Sequence, residues 1–211
     1  MQSIKNIIFD YGNVIFQIDF KRAQQSFADL GIKNVEDFFS HSGHDPLFNE
    51  FEKGNITSDE FRSGIRKLVN QPELSSEAIN QAWNSLLIGV PAGNHEVLLK
   101  AKTQYRTFLL SNNNPIHYDW IVNYLKKEFN TSNAVFFEQD YYSHLIGMRK
   151  PDRDIFEFIL SKQDLNVAET LFIDDSPQHL KTATEMGLKT HLLTSNETLP
   201  EFLCGSGILK P

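Results

Sequence analysis

Apolar positions along this chain follow two rhythms. Short unbroken runs, rich in β-branched and aromatic residues, stand at Asn6–Phe9, Thr107–Leu110, Ala134–Phe137, Leu171–Ile173 and Thr190–Leu193. Runs this short and this apolar predict strands buried on both faces, as in a parallel sheet. Between them the spacing is helical, with Ile121, Tyr124 and Leu125 before the third run and Ile155, Phe156, Ile159 and Leu160 before the fourth. Ser176-Pro177 opens a further helix, with Ser as N-cap, Pro at the first helical position and Gly187 as the stop. Strands that alternate with helices predict an α/β fold with a doubly wound parallel sheet.

Between the first run and Pro91 only the helical rhythm is present. Phe20, Ala23, Phe27 and Leu30 form one stripe, closed by Gly31. Asp45-Pro46 opens a short helix that Gly54 closes, and Thr57-Ser58-Asp59-Glu60 reads as a capping box before Phe61, Ile65, Leu68 and Val69. Ile79, Trp83, Leu86 and Leu87 form a last stripe, closed by Gly89. The expected organisation is a core of residues 1–16 and 91–211, interrupted by an all-helical module at 17–90. An insertion directly after the first strand lies over the carboxyl ends of the strands, where open α/β sheets bind ligands.

Composition narrows the possible functions. The 211 residues are 40% apolar, enough for a substantial core, and 20 basic against 27 acidic side chains leave a net charge of −7. That balance argues against a nucleic acid as the main partner. A single cysteine, Cys204, excludes a disulfide framework and fits a cytoplasmic protein. The N-terminus lacks the apolar run of a signal peptide, and no stretch approaches a membrane span. The expectation is a monomer or weak homodimer whose partner is a small molecule.

Chemistry-bearing residues gather at or near the expected strand ends. Asp10 follows the first strand and Ser111-Asn112 the second; Lys150 lies in the loop after the third, and Asp174-Asp175 follow the fourth. Each has a bland reading alone: a turn residue, a helix N-cap, a surface lysine, a complement to a helix dipole. Together they are harder to dismiss, because parallel strands bring these ends to one edge. Up to three carboxylates crowded there require either protonation or a cation among them. Oxygen ligands without a Cys or His cluster point to Mg²⁺. A hydroxyl and backbone N–H groups at a helix start, a lysine and a carboxylate nucleophile complete a phosphoryl-transfer site.

In order, DYGNV, LLSN, the lysine of MRKP and FIDDS resemble the haloacid dehalogenase (HAD) superfamily, over essentially the whole chain. The helical insertion is similar in position to that family's first class of cap. Gly12-Asn13 with FEKGNIT resembles the sugar-phosphate phosphatase branch, which includes α-glucose-1-phosphate phosphatases. The resemblance implies a Rossmann-like core and a Mg²⁺-dependent phosphatase. Asp10 would form an aspartyl-phosphate, Ser111 and the Asn112 backbone would hold the phosphoryl oxygens, and Lys150 would neutralise charge on the phosphoryl group and Asp10. Asp175 and the Gly12 carbonyl would bind Mg²⁺, with Asp174 bound directly or through water.

Position 12 departs from the family, most of whose phosphatases carry there an aspartate that protonates the leaving oxygen. Its absence points to a substitute or to a leaving group that needs less protonation, such as the anomeric oxygen of a hexose 1-phosphate. Asp19 is the nearest acid but reads as the N-cap before Phe20, and His41 and His44 read as a solvated loop of the insertion. The alternatives are a metal-independent haloacid dehalogenase, against which the Asp174-Asp175 pair argues, and a non-catalytic phosphometabolite-binding protein.

Overall fold

The computed structural model describes residues 3–32 and 46–210. Five parallel strands form one sheet in the order β5-β4-β1-β6-β7, where β1 is Asn6–Phe9, β4 Arg106–Ser111, β5 Gln139–Tyr142, β6 Thr170–Asp174 and β7 Lys189–Leu192. Side chains alternate across the pleat. Ile7, Phe9, Leu109, Leu171 and Ile173 therefore enter one apolar cluster, and Ile8, Phe108, Leu110 and Phe172 enter the other. Helices α5 (Asn94–Gln104), α6 (Pro115–Phe129), α7 (Ser143–Ile146), α8 (Arg153–Lys162), α9 (Pro177–Glu185) and α10 (Leu199–Gly205) complete the core.

The third strand is not where the apolar run suggested. Asn133–Val135 form a 3₁₀ turn, and the strand is Gln139–Tyr142. Phe136 and Phe137 are buried, but as side chains packed beside His95 and Phe9 before the strand begins. As an edge strand, β5 needs less apolar character, and its first two residues are not fully buried. The opposite edge, β7, is likewise only partly covered.

In the insertion, α1 (Phe20–Asp29), α2 (Pro46–Glu52), α3 (Ser58–Val69) and α4 (Ser76–Asn84) follow the helical stripes. Thr57 and Glu60 form the expected capping box, and Asp19 caps α1 through a bond from the Lys21 N–H. Asp45, His41 and His44 lie outside the described residues. The insertion is not wholly helical: β2 (Gln17–Ile18) pairs antiparallel with β3 (Leu87–Gly89). This ribbon brings the two ends of the insertion together. Phe27, Phe48, Phe61 and Trp83 pack ring to ring and belong to the same apolar cluster as Ile116 and Ile121 of α6.

Candidate active site

Strand order places the chemistry. β1 lies between β4 and β6, and Phe9 is in register with Leu109 on one side and Ile173 on the other. Asp10 and Asp174 each follow those paired residues, and Ser111 stands at the end of β4. Lys150 reaches the same point from the loop before α8. Its Nζ donates to Asp10 Oδ1 at 2.6 Å and to Asp174 Oδ2 at 2.8 Å, and it is fully buried. Asp10, Asp174 and Asp175 each offer a carboxylate oxygen, and these oxygens all lie within 4.8 Å of one another.

The electrostatics explain why a cation fits this group. Burial, together with the charges of Asp174 and Asp175, pushes the Asp10 carboxyl up to about 8 against the opposing pull of Lys150. Burial also raises Asp175, while Asn13 and Lys150 work the other way. For Asp174 burial is outweighed by Lys150 and His179, which hold it below the usual range. Burial would lower Lys150, but Asp10 and Asp174 outweigh it and keep the ammonium protonated. Among the described residues, one ammonium faces three carboxylates, which leaves an excess of negative charge in a desolvated site. A hard dication held by oxygen ligands is the matching remedy.

Two residues given no site role in the sequence reading, Asn13 and His179, hold the carboxylates of this group. Asn13 occupies the left-handed region at φ 55°, which asparagine tolerates well. Its Nδ2 donates to Asp175 Oδ2 at 3.0 Å, while its Oδ1 accepts the Ile18 N–H at 3.2 Å. His179, in the first turn of α9, places Nδ1 at 3.0 Å from both Asp174 oxygens, and the Ser176 N–H donates to Asp174 Oδ1. Of the N-cap candidates Ser111 and Asn112–Asn114, it is Asn114 that caps α6. The Asn112 side chain instead embraces the Lys150 backbone, donating to its carbonyl and accepting its N–H, both at 2.9 Å. A histidine in the first turn of a helix directly after an acid pair was a readable signal; the Asn112 clamp, 38 residues long-range, was not.

A family model for haloacid dehalogenase-like hydrolases matches residues 4–187. This chain belongs to that family. As a HAD-like hydrolase it is 32% identical, over 89% of its own length and 90% of the relative's, to the D-ribitol-5-phosphate phosphatase of Bacteroides thetaiotaomicron. It is 27% identical to a sesquiterpene phosphatase of Aspergillus oryzae, over 94% of this chain and 95% of that protein. A HAD family enzyme of Bacteroides thetaiotaomicron, crystallised as a variant with magnesium and inorganic phosphate, superposes with a TM-score of 0.89 at 33% identity, covering 95% of this chain and 99% of that one. The hydrolase is thus a HAD-family phosphoric monoester hydrolase, and Mg²⁺ suits both its acidic group and its solved relative. Among the described residues no helix is long and apolar enough to cross a membrane.

Proposed function

We propose that this hydrolase is a Mg²⁺-dependent phosphatase of a small phosphorylated sugar or polyol, working through an aspartyl-phosphate on Asp10. The observation that carries the reading is the buried Lys150 ammonium bonded to both Asp10 and Asp174, with the Asp175 carboxylate beside them. Lys150 engages Asp10 Oδ1, so Oδ2 is the oxygen that attacks phosphorus. The Asp10–phosphorus bond forms as the bond to the leaving oxygen breaks, and that oxygen takes a proton from solvent. Water then attacks phosphorus, releases inorganic phosphate and restores the Asp10 carboxylate. Ser111 and the Asn112 main chain hold the phosphoryl oxygens, and Lys150 offsets their charge. Asp10, Asp175, the Gly12 carbonyl and Asp174, directly or through water, would hold Mg²⁺, which when bound supplies charge neutralisation to the nucleophile and phosphoryl group.

Residues 17–90 serve, in this reading, as a cap over the strand ends. The β2–β3 ribbon supports it, because a two-stranded hinge lets a helical insertion move as one piece. Such a cap excludes water and selects the substrate.

A second reading of the substrate is favoured by Gly12. With no carboxyl there, a hexose 1-phosphate, whose anomeric oxygen leaves easily, needs less proton transfer than a primary alcohol phosphate. The D-ribitol-5-phosphate named for the relative is of the latter kind. Purified protein with Mg²⁺ should be compared on D-ribitol 5-phosphate, hexose 1-phosphates and hexose 6-phosphates. Release of phosphate from any of them, lost in EDTA and in Asp10→Asn, supports the phosphatase reading; the ranking of kcat/KM decides between the substrates. Full turnover in EDTA or in Asp10→Asn would sink the mechanism.

A further inference from the structure

The loop that presents Lys150 is held from both sides. From the core, Asn112 binds the Lys150 backbone N–H and carbonyl. From the insertion, Glu52, the last residue of α2, and Lys53 after it pair with the residues that flank Lys150-Pro151. Glu52 Oε2 lies 2.8 Å from Arg149 Nη2, with side chains only 21% and 11% exposed. Lys53 Nζ lies 3.1 Å from Asp152 Oδ2, with more exposure. Asn49, one turn earlier in α2, accepts a hydrogen bond from Arg149 Nη1.

The charges alternate across this seam, so the register of α2 against the loop is specified. A slip of one residue would bring Lys53 to Arg149. The backbones also come close. Gly54 has φ +71°, and a Cβ there would lie 2.2 Å from the His144 carbonyl oxygen. A side chain at position 54 would therefore hold the end of α2 away from α7, the short helix that leads into the Lys150 loop.

We propose that Glu52 is a positioning residue: by pairing with Arg149 it sets the Lys150 ammonium against Asp10, so that docking of the insertion and completion of the catalytic group are one event. This rests on Lys150 serving phosphoryl transfer as argued above. The partly buried Glu52–Arg149 pair carries the effect. The exposed Lys53–Asp152 pair is screened by water and salt and contributes little.

The test is steady-state kinetics with p-nitrophenyl phosphate, which needs no metabolite recognition by the insertion, alongside thermal melts. Glu52→Gln and Arg149→Met should each lower kcat by about tenfold or more with KM little changed, since a misplacement of about 1 Å at a reacting centre can cost about 10²-fold. The double variant should be no worse than the single ones, and Glu52→Arg with Arg149→Glu should recover part of the loss. Glu52→Asp should be milder than Glu52→Gln. Wild-type kcat in folded Glu52→Gln and Arg149→Met, losses that simply add, or an effect on KM for metabolites alone would overturn the proposal. Lys150→Met, folded by its melt yet at full kcat, would instead remove the catalytic reading and the proposal with it.

Discussion

Gly12 faces Ile18: a Cβ on Gly12 would lie 2.9 Å from Ile18 Cδ1. The β2–β3 ribbon thus leans a methyl group into the space where most family phosphatases carry their acid. The obstacle is the tip of a flexible side chain, so Gly12→Asp should fold with Ile18 rotated, at a cost of about 0.5–1.5 kcal/mol. An acid placed there should help alkyl leaving groups most, by up to about 10²-fold, the lower end for general acid catalysis. Across aryl phosphates of graded leaving-group pKa, the natural protein should show a steep dependence and Gly12→Asp a shallower one. A flat dependence in the natural protein would mean that another group already donates the proton.

Among the described residues, Lys150 is the single ammonium at the three clustered carboxylates. Removing one partner of a buried charge network leaves the others uncompensated, at about 3–5 kcal/mol. Lys150→Met should therefore lose turnover and melt well below the natural protein. Added Mg²⁺ should restore part of that stability, because a dication takes over some of the lost positive charge. Equal melting temperatures with and without Mg²⁺ in both proteins would contradict the assignment of the carboxylates to a metal site.

Asn13 joins the turn after β1 to Asp175 across 162 residues of sequence. Outer partners of this kind typically matter about 10–100-fold in metal affinity. Asn13→Ala should raise the Mg²⁺ concentration for half-maximal rate by a factor in that range while kcat at saturating Mg²⁺ falls much less. An unchanged Mg²⁺ titration would show that Asp175 needs no such support.

His117 stacks on Trp83 at 4.4 Å between ring centroids, and its Nε2–H donates to the Trp83 carbonyl while Nδ1 accepts from Asn114. Burial pulls its pKa down to about 4 from 6.5. As pH falls, the unfolded chain takes the proton first, near 6.5, while the folded chain resists until about 4. The stability that His117 contributes is thus present above pH 6.5 and lost between 6.5 and 4, by at most about 3 kcal/mol. Denaturation of the natural protein and His117→Gln at pH 7.5 and 5 should show a smaller loss on acidification in the variant. Equal losses would exclude His117 as a source of the slope.

Much of the fold was legible because it depends on local patterns. Four of the five core strands lie within about a residue of their apolar runs, and Thr57-Glu60, Asp19 and Gly31 behave as helix boundary residues. Such signals report burial and capping, which neighbouring residues decide. The edge strand Gln139–Tyr142 escaped them, since an edge needs little apolar character, and so did the two-residue ribbon, too short to show a period.

What the sequence determined by itself was therefore the order of elements and the residue types at the strand ends: Asp10, Ser111, Lys150 and the Asp174-Asp175 pair. Tertiary structure alone decided how they are held. Strand order set Asp10 between Ser111 and Asp174, and it turned Lys150, a surface residue by any local rule, into a buried ammonium between two carboxylates. Asn112, Asn13 and His179 gained their partners the same way. A side chain's hydrogen bonds are settled by which strands become neighbours, and no local stretch of sequence encodes that. The same holds for the insertion: its aromatic residues share one apolar cluster with α6, so its burial is a property of the whole molecule.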